Sequence, residues 1–534
     1  MKHIKLSPKK LLATLISIAM LATMAVPAVS AATDTDNVTY TMISTEAELK
    51  AVANDVEGNY KLANDITLSD VGEGESNWTE LDFKGIFDGN GYAIKNLKMV
   101  NDAPGNWQSF GFFGTADGAT IKNLTIQGNL HSALNYQLEI GAFCSATKNG
   151  TTISNCVSEV DITTGSVSSN SYVAAFAAVA AEGTVIENCV NKGDFLVKSN
   201  EKTCYIGGIV GRVTGVTTIT GCANEGKLES AGGEHSTLIG GIAAHVLVAD
   251  ETNNQVTITR CVNAATIISD SRYLGGIVAR AEKGKLDISY SANLGNLENV
   301  YFWATAYSVF FGGIVGRNNM GEGLTISYCY NDAGDELGSL TNINLAYIGG
   351  IVGSESGGTY RYNYTTKFTY LPAGDANSAY ACIFGYGHGS SLGTGVKVGN
   401  GVVEDGADLE GVATILNAGL PENDPMFVVE DGVMTAMSYS YEAPETGDSG
   451  NGGGTGTGTG SGTGTGTGIG TTNKGEDTTA KDDQTTEAPV NNDAPTSNSN
   501  TDAGKKGCGS VVFSGMTILL TLGAAVAVTK KKED

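Results

Sequence analysis

The chain is 534 residues long, carries a net charge of −25 and contains 73 glycines but only nine cysteines. That charge argues against nucleic acid and against an anionic membrane surface as partners. The cysteines are far too sparse for a fold built on disulfides.

Residues 1–31 read as a cleaved signal peptide. Lys2, Lys5, Lys9 and Lys10 form a positive start, Leu11 to Val26 is apolar, and Val29-Ser30-Ala31 suits a signal peptidase. Residues 32–100 read as an N-terminal cap with the first coils of a repeat fold. Thr45-x-x-Glu48 is a capping box that opens a short helix over 46–54. Strand-like pieces follow at 60–68 and 83–87, with Asp88-Gly-Asn-Gly91 as a turn.

Residues 101–395 carry internal repeats. Tyr205-Ile-Gly-Gly-Ile-Val-Gly-Arg212 returns as Phe311-Gly-Gly-Ile-Val-Gly-Arg317 and Tyr347-Ile-Gly-Gly-Ile-Val-Gly353, with weaker copies elsewhere. Aligned on the first small residue, nine units start at 111, 141, 174, 207, 240, 275, 312, 349 and 381, a spacing of 30 to 37 residues. A second landmark is Ile-x-x-Cys, as at Ile153–Cys156, Ile186–Cys189, Ile219–Cys222, Ile258–Cys261 and Ile326–Cys329, with Ser291 in place of Cys in one copy. Ile94-Lys-Asn-Leu97 and Ile121-Lys-Asn-Leu124 read as upstream copies carrying Leu. An Asn two residues past the Cys position is the third landmark, at Asn191, Asn224, Asn263, Asn293 and Asn331.

These segments alternate apolar and polar residues, favour β-branched side chains and end on Gly or Asn. A unit with two or three short strands cannot bury its own apolar face, but a stack of units can. The expected fold is all-β, a right-handed parallel β-helix of about nine such repeats with a short N-terminal helical cap. A propeller needs longer units with more strands. In the stack, the Cys and Leu positions should form an interior ladder of free thiols and apolar groups. The Asn positions should form a ladder at a turn, where Asn tolerates left-handed backbone. The paired glycines should mark bends or close backbone approach.

Residues 396–445 read as a C-terminal cap, with a helix over 408–418 and strands over 426–437 closing the far end. Residues 446–509 form a Gly/Thr-rich linker, with too few apolar side chains to offset the entropy of ordering. Residues 510–529 read as a transmembrane helix: Val511 to Thr529 is uncharged and would cover roughly 28 Å. Lys530, Lys531 and Lys532 make 530–534 a basic cytoplasmic tail, which places the rest of the chain outside. Pro444-Glu-Thr-Gly447 lacks the leading Leu of a sortase signal, and Cys508 marks the membrane boundary.

Ile43-Ser-Thr-Glu-Ala-Glu-Leu-Lys50, Gly58-Asn-Tyr-Lys-Leu-Ala-Asn-Asp-Ile66, Phe87-Asp-Gly-Asn-Gly91 and the Gly-Gly-Ile-Val-Gly units resemble GLUG-motif repeat surface proteins of Gram-positive bacteria. The resemblance covers roughly residues 40 to 390. It implies a β-helical, adhesin-like protein that shares repeats with the N-terminal region of immunoglobulin A-cleaving metallopeptidases. The zinc motif His-Glu-x-x-His of such peptidases is absent: the five histidines are His3, His131, His235, His245 and His388.

No catalytic, cofactor-binding or metal-binding residue is assigned, and no cofactor is expected. Gly387-His388-Gly389 matches one piece of a polygalacturonase-like site, but the partner motifs are missing from the repeats. Arg212, Arg280 and Arg317 follow three of the Gly-Gly-Ile-Val copies; pairing with neighbouring carboxylates is the favoured reading, and an outward stripe for an acidic glycan the other. Tyr360, Tyr362, Tyr364 and Tyr370 could stack on sugar rings or line a strand face. The expectation is a non-catalytic cell-surface binding or adhesion protein on a flexible stalk. Its partner would be an extracellular glycan or a ligand on a host or neighbouring cell, with the C-terminal helix in the cytoplasmic membrane. A polysaccharide lyase or glycoside hydrolase on a β-helix scaffold is the alternative.

Overall fold

In the computed structural model the chain winds into a parallel β-solenoid of the right-handed type. The structure describes residues 38–437 except 102–106, 134–136, 166–169, 199–202, 232–236, 250–254, 271, 300–308, 334–345, 367–382, 385–394 and 405. The signal peptide, linker, transmembrane helix and basic tail lie outside the described residues, as do Ala381, His388, Tyr370 and Cys508. Among the described residues no helix is long and apolar enough to cross a membrane.

Each coil visits four sheets in the same order. Sheet I runs over twelve strands, from Thr41–Ile43 to Val396–Val398. Sheet II holds fifteen strands, including Val190–Asn191 and Phe195–Lys198 of one coil. Sheet III runs over eight strands, Trp107–Phe110 to Ala346–Gly349, and sheet IV over nine, Leu81–Phe83 to Val352–Ser354.

Sequence landmarks become files of residues along the stack, about 4.8 Å apart per coil. The first small residue of each unit is in register from Gly141 through Ala174, Gly207, Gly240, Gly275 and Gly312 to Gly349. The isoleucines do the same in sheet I, from Ile121 through Ile153, Ile186, Ile219, Ile258 and Ile288 to Ile326. Each of these is fully buried, and each buried Ile is worth roughly 1.5–3 kcal/mol. Toward the N-terminus the file continues from Ile121 to Phe87 and Tyr60, and at the other end Tyr360 and then Lys397 close it. The Lys397 ammonium pairs with Glu355 and lies over the Phe384 ring at 4.7 Å.

One landmark belongs elsewhere. Ile94-Lys-Asn-Leu97 is not the copy upstream of Ile121, because Ile94 pairs with Ile126 in sheet II. An apolar residue three before a Leu is too common in alternating strands to fix register by itself.

The cysteines at the landmark position are all buried and free. Each thiol donates to the carbonyl two residues earlier, at 3.2 Å for Cys156 to Ser154 and 3.4 Å for Cys222 to Thr220. Cys144 and Cys204 stand off this ladder, in sheets IV and III, and are also buried.

The Asn landmark differs from expectation. These residues lie in strands, and none has positive φ. Their amides form an interior ladder instead: Asn191 Nδ2 donates to Asn224 Oδ1, and Asn224 to Asn263, each at 2.8 Å. Asn263 continues to Asn293 at 2.8 Å, Asn293 to Asn331 at 2.9 Å, and Asn331 to Thr365 Oγ1 at 3.0 Å. The second donor of the Asn191, Asn224, Asn263 and Asn293 amides is met by a backbone carbonyl, such as Gly193 O at 3.1 Å and Gly226 O at 3.0 Å. The left-handed corner falls three residues earlier, at Asn155, Asn188, Gly221, Arg260, Tyr290, Tyr328 and Tyr362.

The amide ladder explains the second glycine of each pair. A Cβ on Gly208 would meet Gly241 O at 2.2 Å and the Asn224 side chain at 2.6 Å. The coil with Ala142 holds the smaller Ser158 at the ladder position, whereas the coil with Ala175 keeps Asn191, so one Cβ is accommodated there.

The N-terminal cap matches expectation. Thr45 and Glu48 form the capping box of helix α1 (Glu46–Ala51), extended by a 3₁₀ turn over Val52–Asn54. The C-terminal helix α2 (Leu409–Leu416) and the hairpin Phe427–Glu430/Val433–Ala436 do not simply close the far end. They fold back along the outer side of sheet II, where Leu416, Met426 and Phe427 bury Val190, Ala223, Val262, Ala292 and Tyr330. Arg260 Nη1 to Asp424 Oδ2 at 2.7 Å and Tyr290 Oη to Ala418 O at 2.8 Å fasten this flap. The small apolar side chains of sheet II's outer face leave it in need of a cover.

Candidate binding groove

Sheets III and IV meet at the Gly-Gly-Ile-Val corner. Alternation sends Cys204 and Ile206 of sheet III into the core and Tyr205 outward. The outward file in register is Tyr172, Tyr205, Leu238, Tyr273, Phe310 and Tyr347. On sheet IV the outward file is Arg212, His245, Arg280 and Arg317, ending at Ser354. Between them the floor is small. A Cβ on Gly211 would come within 2.6 Å of Ala178 O, and one on Gly316 within 2.6 Å of Leu274 O. Ala244 and Ala279 continue this floor and pack with Leu238, Tyr273 and Phe310 in an apolar cluster separate from the core.

The aromatic rings stack along the solenoid axis. Tyr172 lies 4.8 Å from Tyr205, which lies 5.1 Å from the His245 ring. Past Leu238, Tyr273 lies 5.2 Å from Phe310, and Phe310 5.1 Å from Tyr347. The arginines lie against these rings. Arg212 Nη1 donates to Tyr172 Oη at 2.8 Å, Arg317 Nη1 to Tyr273 Oη at 3.3 Å, and the Arg317 guanidinium sits 4.3 Å from the Phe310 centroid.

Among the described residues, only the middle arginine of the three has a carboxylate partner. Arg280 Nη2 meets Glu282 Oε1 at 3.2 Å, and Glu282 Oε2 accepts from His245 Nε2 at 2.7 Å. The favoured pairing of the stripe with neighbouring acids therefore holds at one position of three. Tyrosine hydroxyls and ring faces, invisible in a linear reading, hold the other two.

His245 is nearly fully buried, and burial pulls its imidazole down to about 4 against the smaller opposing effect of Glu282. It is therefore neutral near pH 7 and donates through Nε2, which leaves Nδ1 as an acceptor. That Nδ1 is buried without a partner, and so are Nε of Arg212 and Nε of Arg280. Three consecutive coils thus each carry one unmet polar atom on the same wall, an arrangement that costs stability.

The same wall changes character toward the N-terminus. Glu80 and Asp82 flank Gly114, and burial with the Asp82 charge pushes the Glu80 carboxyl up to about 7. Asp82 Oδ1 accepts from the Thr115 amide at 2.7 Å. Among the described residues there is no group of three or more His, Cys, Asp or Glu side chains that could hold a metal ion.

The Tyr-rich stretch does not form a sugar platform as a unit. Tyr360 is fully buried in the core, and Tyr364 packs beneath the C-terminal flap. Tyr362 stacks on Tyr328 at 5.4 Å along the left-handed corner.

No family model and no curated protein matches the chain. Among solved structures, a candidate immunoglobulin A1 protease from Bacteroides ovatus is similar at 17% identity and a TM-score of 0.38, covering 75% of this chain and 92% of that one. An immunoglobulin A1 protease is similar at 15% identity and a TM-score of 0.37, covering 78% of this chain and 26% of that one.

Proposed function

We propose that the chain is a non-catalytic binding protein of the cell surface, and that its ligand lies along the groove between sheets III and IV. The observation that carries this reading is the outer file of rings from Tyr172 to Tyr347, set against arginines that, among the described residues, lack carboxylate partners at two of three positions. Part-exposed cations held against largely buried rings on an outward sheet face suit recognition of an anionic ligand. The GLUG-like repeats, the signal peptide, the long linker and the apolar segment before Lys530 support display on a stalk above a membrane, in a Gram-positive cell envelope.

The test is binding of the purified full chain to an array of glycans and host-matrix proteins. Saturable binding that competes with free ligand is expected. Absence of binding above a scrambled-sequence control would overturn the proposal. Release of reducing ends or unsaturated sugars from the same glycans, abolished by His388→Ala, would replace it with the carbohydrate-cleaving alternative.

A further inference from the structure

We infer that this groove selects a glycan carrying isolated carboxylates, with Arg212 and Arg317 engaging the carboxylates. The inference rests on the binding function proposed above and names the class of ligand.

The chemistry follows from what each residue still offers. Among described residues Arg212 and Arg317 each spend one terminal N–H on a tyrosine hydroxyl, and Arg212 Nε is buried, so the remaining terminal N–H groups of the two guanidinium forks are what a carboxylate would meet. Ring contacts hold both forks in place, which lowers the ordering cost of binding. Arg280 is already neutralised by Glu282 and its side chain is 22% exposed, so it contributes less. Buried His245 and the Arg280–Glu282 pair leave the wall between the two forks without a free charge. Two separated cations with a neutralised stretch between them fit a uronate- or sialate-bearing sugar chain.

Spacing and net charge narrow the class further. Arg212 and Arg317 are three coils apart, about 14 Å, so the two free forks address separated charges. The chain as a whole carries −25, which opposes a densely charged polymer at long range. An acidic peptide is disfavoured on other grounds. The groove presents side chains and no free strand edge, so a peptide would gain no ladder hydrogen bonds for its larger ordering cost. The ring faces are engaged with one another, so the rings act as supports for the cations and offer little stacking surface to sugars.

The experiment measures retention of the full chain on immobilised pectins of graded methyl esterification, with neutral galactan, heparin and polyglutamate as further matrices. Strongest retention is expected on partly esterified pectin, with loss on complete esterification. Arg212→Gln with Arg317→Gln should weaken it about a hundredfold, roughly tenfold for each charge-assisted pair. Arg212→Lys, which keeps the charge and loses the fork, should lie between. Retention unchanged in the double glutamine variant, with its melting temperature unaltered, overturns the site while leaving the binding function standing. Preference for polyglutamate or heparin overturns the ligand class. No retention on any glycan or host protein overturns both.

Discussion

At the scale of single residues, the Asn file shows how one polar position can fix a coil. Asn224 accepts from Asn191 and donates to Asn263 and to Gly226 O, all away from water. Asn224→Ala removes three hydrogen bonds and strands the amide of Asn191 and the oxygen of Asn263. A loss of about 3 kcal/mol is expected, more than a neutral hydrogen bond alone because buried partners are left unmet. Chemical denaturation would show it as a lowered midpoint with unchanged slope, and an unchanged midpoint would refute the ladder. Glu80 gives a prediction of opposite character. Its folded pKa of about 7 lies above the ordinary carboxyl value of 4.5, so the native state holds the proton more tightly in that window. The stability it contributes is complete below pH 4.5 and is lost as pH rises through 7. Glu80→Gln should therefore match the wild type at pH 4.5 and exceed it at pH 8 by about 1 kcal/mol, a value reduced for partial exposure. Equal midpoints at pH 8 would show that the carboxyl is better solvated than its surroundings suggest.

At the scale of strands and turns, most of the architecture was legible from spacing. The Gly and Ile landmarks fell into register coil after coil because a parallel stack repeats each position every turn, and that period survives insertions in the loops. The Asn file was found but given the wrong role. Asn suits both a left-handed corner and an amide ladder, and spacing alone does not separate them. The corner itself was hidden, since Asn, Gly, Arg and Tyr all occupy it. The groove was legible only as three arginines, because its aromatic half comes from strands a quarter-coil earlier. The cysteine ladder was read from its exchange with Leu and Ser, and it has a chemical consequence. Burial pushes the Cys329 thiol up to about 12, and Cys189 and Cys261 are likewise raised. All seven described thiols are buried out of reach, so none should react with a thiol-exchange reagent at pH 8 until the chain unfolds, when all become available together. Stepwise reaction in native buffer would contradict this.

At the scale of the whole molecule, the C-terminal segment behaves as a lateral brace. Phe427 is fully buried and meets Tyr330 edge-on at 6.3 Å, and its neighbours cover coils separated from it by more than a hundred residues. Phe427→Asp should release the flap without unwinding the coils. Limited proteolysis should then cut near residue 420 while the circular dichroism of the solenoid is kept, whereas uncut protein would show that the flap holds by other contacts. The flap was misplaced in the sequence reading because nothing in a linear pattern tells an end from a side.

The far end is finished differently. A stack of near-identical rungs has no inherent length, and an exposed terminal rung is a template on which another molecule's first rung can grow, as in a fibre. The isoleucine file stops at Tyr360 and is followed by Lys397, whose charge is held by Glu355. A second solenoid docking there would set an apolar file on an ammonium group and pay to desolvate an ion pair. An ion pair at the end of the file thus opposes the addition of a further apolar rung there, from this chain or from another.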